Sequence, residues 1–143
     1  MAECIFCKIA KGEVPSEKFY EDKDFFAFLD IHPKSKGHAI LTPKVHFENI
    51  FDAKENELLK LGEALKKVSN ILKQKYGCDG VNLINNSGKV AGQEINHFHF
   101  HIIPRYFGGS EVLESSENKT MNEEAPLRKV NEVSENSSKK KWK

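Results

Sequence analysis

A chain of 143 residues fits one compact domain and leaves little room for a second. Its 38% hydrophobic residues can supply a core, and its 30% charged residues leave a generous polar surface. The net charge of +1 points to neither a nucleic-acid coat nor an acidic-substrate field, and no apolar run reaches the ~20 residues that span a bilayer.

The N-terminus, Met1-Ala2-Glu3-Cys4, has no basic region and no long apolar run, so it does not read as a secretory signal. Three cysteines, an odd number, make no disulfide framework, and the chain reads as a reduced, cytoplasmic protein. Cys4-x-x-Cys7 is open to three readings: a metal pair, a redox dithiol or two free thiols. No thioredoxin-like βαβ pattern surrounds it, and His46 and His97 are available to complete a Cys₂His₂ set. Cys78 has no sequence partner and reads as a small hydrophobe.

Apolar runs predict strands over 25–29 and 38–42. The clearest helix is predicted to start at Asp52, which with Glu55 makes a capping box, and to stop at Gly77. Within it Leu58, Leu61, Leu65, Val68 and Leu72 recur at intervals of three and four, widened by Ala64 and Ile71. Such a stripe is core, and its narrowness also suits a twin helix, so dimerisation is a second expectation. A further strand is predicted over 80–84. The glycine-bearing polar loop Asn85-Asn86-Ser87-Gly88-Lys89-Val90-Ala91-Gly92-Gln93 follows it and lacks the spacing of a P-loop. One long helix among short strands, without βαβ alternation, indicates an α+β fold with an antiparallel sheet.

The last predicted strand, 97–103, carries His97-Phe98-His99-Phe100-His101. Alternate strand residues share a face, so the three imidazoles line up while Phe98, Phe100 and Ile102 face the core. Three such histidines on a straight strand span ~13 Å, too far for one zinc ion with ~2.1 Å bonds. A nucleophilic histidine flanked by histidines that orient it and handle protons fits better. Beyond about residue 110 the composition changes: 22 of the 33 residues of 111–143 are Glu, Ser, Asn or Lys. That segment reads as a polar tail, partly disordered or a packing arm, with Leu127, Val130 and Val133 able to form a short docking helix.

The triad together with Cys4-Ile5-Phe6-Cys7, Phe28-Leu29-Asp30-Ile31, Gly37-His38, Pro43-Lys44-Val45-His46, Asn86-Ser87-Gly88 and Gly92-Gln93-Glu94 resembles the histidine triad (HIT) family, most closely its Hint branch. The resemblance covers residues 4 to about 107. It implies a HIT-like domain over 1–110, with about five antiparallel strands, one long helix and a homodimer. It implies hydrolysis of purine nucleoside phosphoramidates or related adenylylated compounds at the α-phosphorus, releasing AMP or GMP. His99 would be the covalent nucleophile, with His101 and His38 supporting the phosphate and proton transfer. Asp30 would hold the ribose and Ile31 cover the base, while Asn86, Gly92, Gln93 and Glu94 would line the phosphate site beside His99 and His101. Relatives with the cysteine pair resemble this chain in using Cys4, Cys7, His46 and His97 for structural Zn²⁺. The nucleotidyltransferase branch has glutamine at the third triad position; His101 here favours hydrolysis. Two other functions stay open: a dinucleoside polyphosphate hydrolase of the Fhit type, and a nucleotide-binding interaction module. Neither nucleic acid nor membrane is an expected partner.

Overall fold

A computed structural model describes residues 4–109. The polar tail expected over 111–143 lies outside the described residues. In chain order the elements are α1 (Ile5–Ala10), β1 (Lys18–Glu21), β2 (Phe25–Leu29) and β3 (Ala39–Pro43). They are followed by α2 (Glu55–Leu58), α3 (Leu61–Tyr76), β4 (Gly80–Ile84), a 3₁₀ turn (Lys89–Ala91) and β5 (Phe100–Arg105). The five strands form one antiparallel sheet in the order β1-β2-β3-β5-β4. The α+β architecture with one long helix is therefore as the sequence suggests. No helix among the described residues is long and apolar enough to cross a membrane.

β2 is buried on both faces, which explains its unbroken apolar run. Phe25 and Ala27 pack with Ala39, Leu41 and Ile102 against Ala64, Val68 and Leu72 of α3. Phe26, Phe28 and Ile40 pack with Phe6 and Ile9 of α1 in a second cluster. Alternation along β2 thus separates two cores, one on each side of the sheet. Burying side chains such as Val68 and Leu72 is worth about 1.5–3 kcal/mol each.

The helix departs from expectation at its start. Asp52 does not cap it, because its carboxylate accepts the Asn49 N–H at 2.9 Å and the Glu48 N–H at 3.3 Å, closing the preceding loop. A short α2 intervenes, its Glu57 carboxylate accepting the Lys54 N–H at 2.9 Å, and the long helix begins only at Leu61. Leu58 therefore leaves the stripe. Gly77 ends α3 as anticipated, with φ 70° and its N–H donating to Lys73 O at 2.8 Å. Within the stripe Ala64, Val68 and Leu72 are buried against this chain's own sheet, while Leu61, Leu65 and Ile71 are half-buried.

The final strand is also shorter at its start than predicted: β5 begins at Phe100, so His97 and His99 precede it. The β3–β5 register runs Ala39↔Ile102, Ile40↔His101, Leu41↔Phe100, and continuing it would set Pro43 opposite Phe98. Proline has no N–H to donate, so the ladder cannot continue there. Thr42 Oγ1–H instead donates to Phe98 O at 2.7 Å, and Phe98 N–H donates to Phe47 O at 2.8 Å. Phe98 and Ile102 are buried and Phe100 half-buried, so the apolar half of the alternation still anchors the segment.

Candidate active site

His101 sits on β5 opposite Ile40, and so on the same side of the sheet as α1. His99 and His97 reach that side from the segment ahead of the strand, where the Phe6 ring meets both edge-on at centroid distances of 5.1 and 5.6 Å. The His99 and His101 rings lie 5.1 Å apart, closer than a straight strand would place them.

Fixed neighbours assign the protons on these rings. His99 Nδ1–H donates to the His97 carbonyl at 2.7 Å, which leaves the lone pair on Nε2. Lys34 N–H donates to His38 Nδ1 at 2.9 Å, so the neutral His38 ring carries its hydrogen on Nε2. That hydrogen meets His101 Nδ1 at 3.0 Å, which in turn leaves Nε2–H on His101. Asp30 Oδ2 lies 3.4 Å from His38 Nε2 and 3.9 Å from His101 Nδ1. The neighbouring rings thus present a lone pair and a hydrogen, as nucleophile and acid require.

Burial holds both rings neutral. Burial, and to a smaller degree the nearby His101, lowers the His99 pKa below the ordinary 6.5. Burial and then His38 lower His101 in the same direction. His97 is pulled down to about 4, chiefly by burial.

The residues expected to bind nucleotide are distributed around this centre. Asp30 is half-buried with Oδ1 accepting the His32 N–H at 2.9 Å, and Ile31 is 84% exposed beside it. Gly92 adopts φ 99°, and a Cβ there would stand 3.5 Å from the Asn86 amide nitrogen. That contact is an ordinary one, so it is the positive φ of the turn that favours glycine. Glu94 is exposed. The Gln93 side chain is buried and engaged inside the protein. Its Oε1 accepts from Gly88 N–H at 2.8 Å and Asn49 Nδ2–H at 3.4 Å. Its Nε2 donates to Glu48 O at 2.7 Å and Ile95 O at 2.9 Å. It thereby binds two loops together beside the phosphate-site turn.

A second constellation brings Cys4, Cys7, His46 and His97 together, with all donor atoms within 4.8 Å. Cys4 Sγ lies 3.3 Å from His97 Nδ1, Cys7 Sγ 3.4 Å from His46 Nδ1, and the two Nδ1 atoms 3.0 Å apart. A tetrahedral zinc site has S···N edges of about 3.6 Å and N···N edges of about 3.4 Å. His97 Nε2–H donates to Pro43 O at 2.9 Å, so its Nδ1 lone pair faces the cluster. Two thiols and two imidazoles so disposed suit a cation. Asp30, His38 and His101 also converge within 4.8 Å, but there His38 Nε2 carries the hydrogen, and the group is a hydrogen-bond chain instead.

The HIT domain pattern matches residues 11–108. The chain belongs to the HIT family. An uncharacterized HIT-like protein of Methanocaldococcus jannaschii is 47% identical over 127 residues, 89% of this chain and 98% of that protein. Adenosine 5′-monophosphoramidase HNT1 of Saccharomyces cerevisiae is 42% identical over 104 residues, 73% of this chain and 63% of that protein. Among solved structures, a Zn-bound histidine triad protein of Mycobacterium smegmatis superposes with a TM-score of 0.73 at 30% identity, covering 78% of this chain and 81% of that one.

Sequence reasoning about this HIT protein overlooked Thr42 and Asn85, whose side chains hold the carbonyls of Phe98 and His99. Asn85 beside Asn86 was one more polar loop residue, and no spacing rule separates the two.

The neutral rings carry a consequence for pH. An unfolded chain protonates these histidines near 6.5, whereas the folded chain resists down to lower pH, about 4 at His97. Unfolding therefore takes up protons between those values, and stability falls as pH drops from 6.5 toward 4. Ring ¹⁵N NMR is expected to show His99 as the Nδ1–H tautomer and His101 as the Nε2–H tautomer, both titrating below 6.5. The opposite tautomer at His99 would contradict this proton assignment.

Proposed function

We propose that this HIT protein hydrolyses purine nucleoside phosphoramidates, or related adenylylated compounds, at the α-phosphorus through a nucleotidyl-His99 intermediate. The observation that carries the reading is the His99 Nδ1–H···O=C contact to His97, beside His101 and its hydrogen-bonded His38. His99 Nε2 attacks phosphorus, a P–N(His99) bond forms, and the bond to the leaving amine breaks. His101 Nε2–H gives its proton to the departing nitrogen. Water then attacks the same phosphorus and returns a proton to His101 Nε2, the P–N(His99) bond breaks, and a nucleoside monophosphate leaves. Asp30 has a carboxylate oxygen for the ribose hydroxyls, exposed Ile31 covers the base, and the Asn86–Gly92 turn receives the phosphate oxygens. The phosphoramidase named in Saccharomyces cerevisiae supports the substrate class. A cytoplasmic location accords with the absence of any disulfide among the described cysteines.

Structural Zn²⁺ held by Cys4, Cys7, His46 and His97 completes the reading, and the Zn-bound relative supports it. When bound, the ion supplies a crosslink between the N-terminal turn, the loop after β3 and the lead-in to β5. It takes no part in the reaction. A homodimer remains part of the proposal, and β4 supports it as well. That strand is at the sheet edge, with Leu83 46% and Ile84 37% exposed. An edge that pairs with no further strand among the described residues, and that carries apolar side chains, is a natural seam for a second copy.

Mixing adenosine 5′-phosphoramidate with wild type is expected to release AMP and, on rapid quenching, to trap a nucleotidyl adduct on His99. His99→Ala should lose both. His101→Ala should retain the adduct site but slow turnover by about 10²–10⁴-fold, the usual weight of a general acid. Turnover by His99→Ala at the wild-type rate would end the nucleophile assignment. For the metal, Cys4→Ser with Cys7→Ser should abolish bound zinc in elemental analysis and lower the melting temperature. Zinc-free wild type with an unaltered melting temperature would argue against the site. Light scattering is expected to give twice the chain mass for wild type and the single-chain mass for Leu83→Lys; a monomeric wild type would overturn the dimer.

A further inference from the structure

We propose that Asn85 is a positioning residue for the nucleophile, acting on the main chain of His99. The inference rests on the hydrolase reading above, but it concerns a residue that neither the triad nor the phosphate loop accounts for.

The β4–β5 register ends with Ile84↔His101, and the next pair would set Asn85 opposite Phe100. Instead of continuing the ladder, the Asn85 side chain reaches past Phe100, and its Nδ2–H donates to His99 O at 2.9 Å. A carbonyl only accepts, so the amide orientation is fixed. Asn85 Oδ1 must then accept, and it does so from Ser87 Oγ–H at 2.8 Å. The hydroxyl oxygen of Ser87 in turn accepts the Ile50 N–H at 3.0 Å. Every proton in this chain is assigned, and it ends on the loop that Gln93 also grips through Glu48 and Asn49.

Two contacts therefore fix His99 in different ways. The ring's own bond to His97 O sets its tautomer and its tilt. The Asn85 bond sets the plane of the peptide after His99, and with it the direction in which the residue leaves the chain. Neither the β3 ladder nor the β4 ladder reaches His99, so a side chain does the work that a strand neighbour would do. In-line attack on phosphorus tolerates little displacement, and an error near 1 Å costs about 10²-fold. Asn85 is half-buried, and its oxygen and one amide hydrogen are consumed inside the protein. Its effect thus falls on the attack step and not on nucleotide affinity.

The test compares Asn85→Asp, Asn85→Ala and a control on the preceding edge strand, Asn82→Ala, whose exposed side chain contacts Arg105 instead. In Asn85→Asp a carboxylate oxygen faces the His99 carbonyl, acceptor against acceptor. Its rate of adduct formation with adenosine 5′-phosphoramidate should fall by about 10²-fold, and that of Asn85→Ala by about 10-fold. The Kd for AMP by calorimetry should stay within about threefold, and Asn82→Ala should match wild type. The His99 ring ¹⁵N shifts should move in Asn85→Asp and stay fixed in the control. Unchanged adduct rates in both Asn85 variants would overturn the proposal. So would a parallel loss of AMP affinity and melting temperature, which marks a general structural role. If wild type forms no adduct at all, the hydrolase reading fails by itself. The His99 ¹⁵N shifts then decide the Asn85 claim, and unmoved shifts in Asn85→Asp would refute it.

Discussion

Residues 97–99 lie beyond the end of both ladders that flank β5, and the site depends on how their carbonyls are taken up. Pro43 has no N–H to give Phe98 O, and the β4 ladder, toward which His97 O and His99 O point, ends at His101. Each carbonyl finds another partner: His97 O takes the His99 ring, Phe98 O takes Thr42, and His99 O takes Asn85. The Pro43 carbonyl, still available, accepts from His97 Nε2. A segment inside a continuous ladder would have had its carbonyls occupied by main-chain donors, leaving none to orient a ring.

The three histidines, alike in sequence, thereby acquire separate tasks. His97 is buried and turned by Pro43 toward the cysteine pair. His99 is set with a free lone pair, and His101 with a hydrogen, by chains of contacts that both end on main-chain groups. The low dielectric around them keeps all three rings neutral without any charged partner closer than Asp30. Chemistry near neutral pH is thus prepared by burial and peptide geometry more than by charge.

What could be read from the chain follows from how local each signal is. β2 and β3 were legible as unbroken apolar runs because both their faces are buried, α3 was legible as a stripe, and Gly77 marked the end of α3 through its positive φ. β1 escaped notice because four residues, two of them charged, carry no pattern. Asp52 is a good helix cap in isolation, but the amides of Glu48 and Asn49 reach it first. The triad was visible as a pattern, yet the point where its strand begins depends on Pro43, more than fifty residues earlier in the chain. Gln93 and Asn85 show the same limit: amide side chains are spent on partners that only the folded chain brings near. The four cysteine and histidine donors lay in three separate segments, and the resemblance, not their spacing, brought them together.

His97 meets its neighbours through two different parts of itself, the ring toward Cys4 and Cys7 and the carbonyl toward His99. Every amino acid brings a carbonyl, whereas only a few bring a metal donor. Exchanging the ring at this position would remove a donor from the cysteine and histidine set and still leave a carbonyl for His99 Nδ1–H. One residue thus serves two neighbourhoods through chemically independent groups.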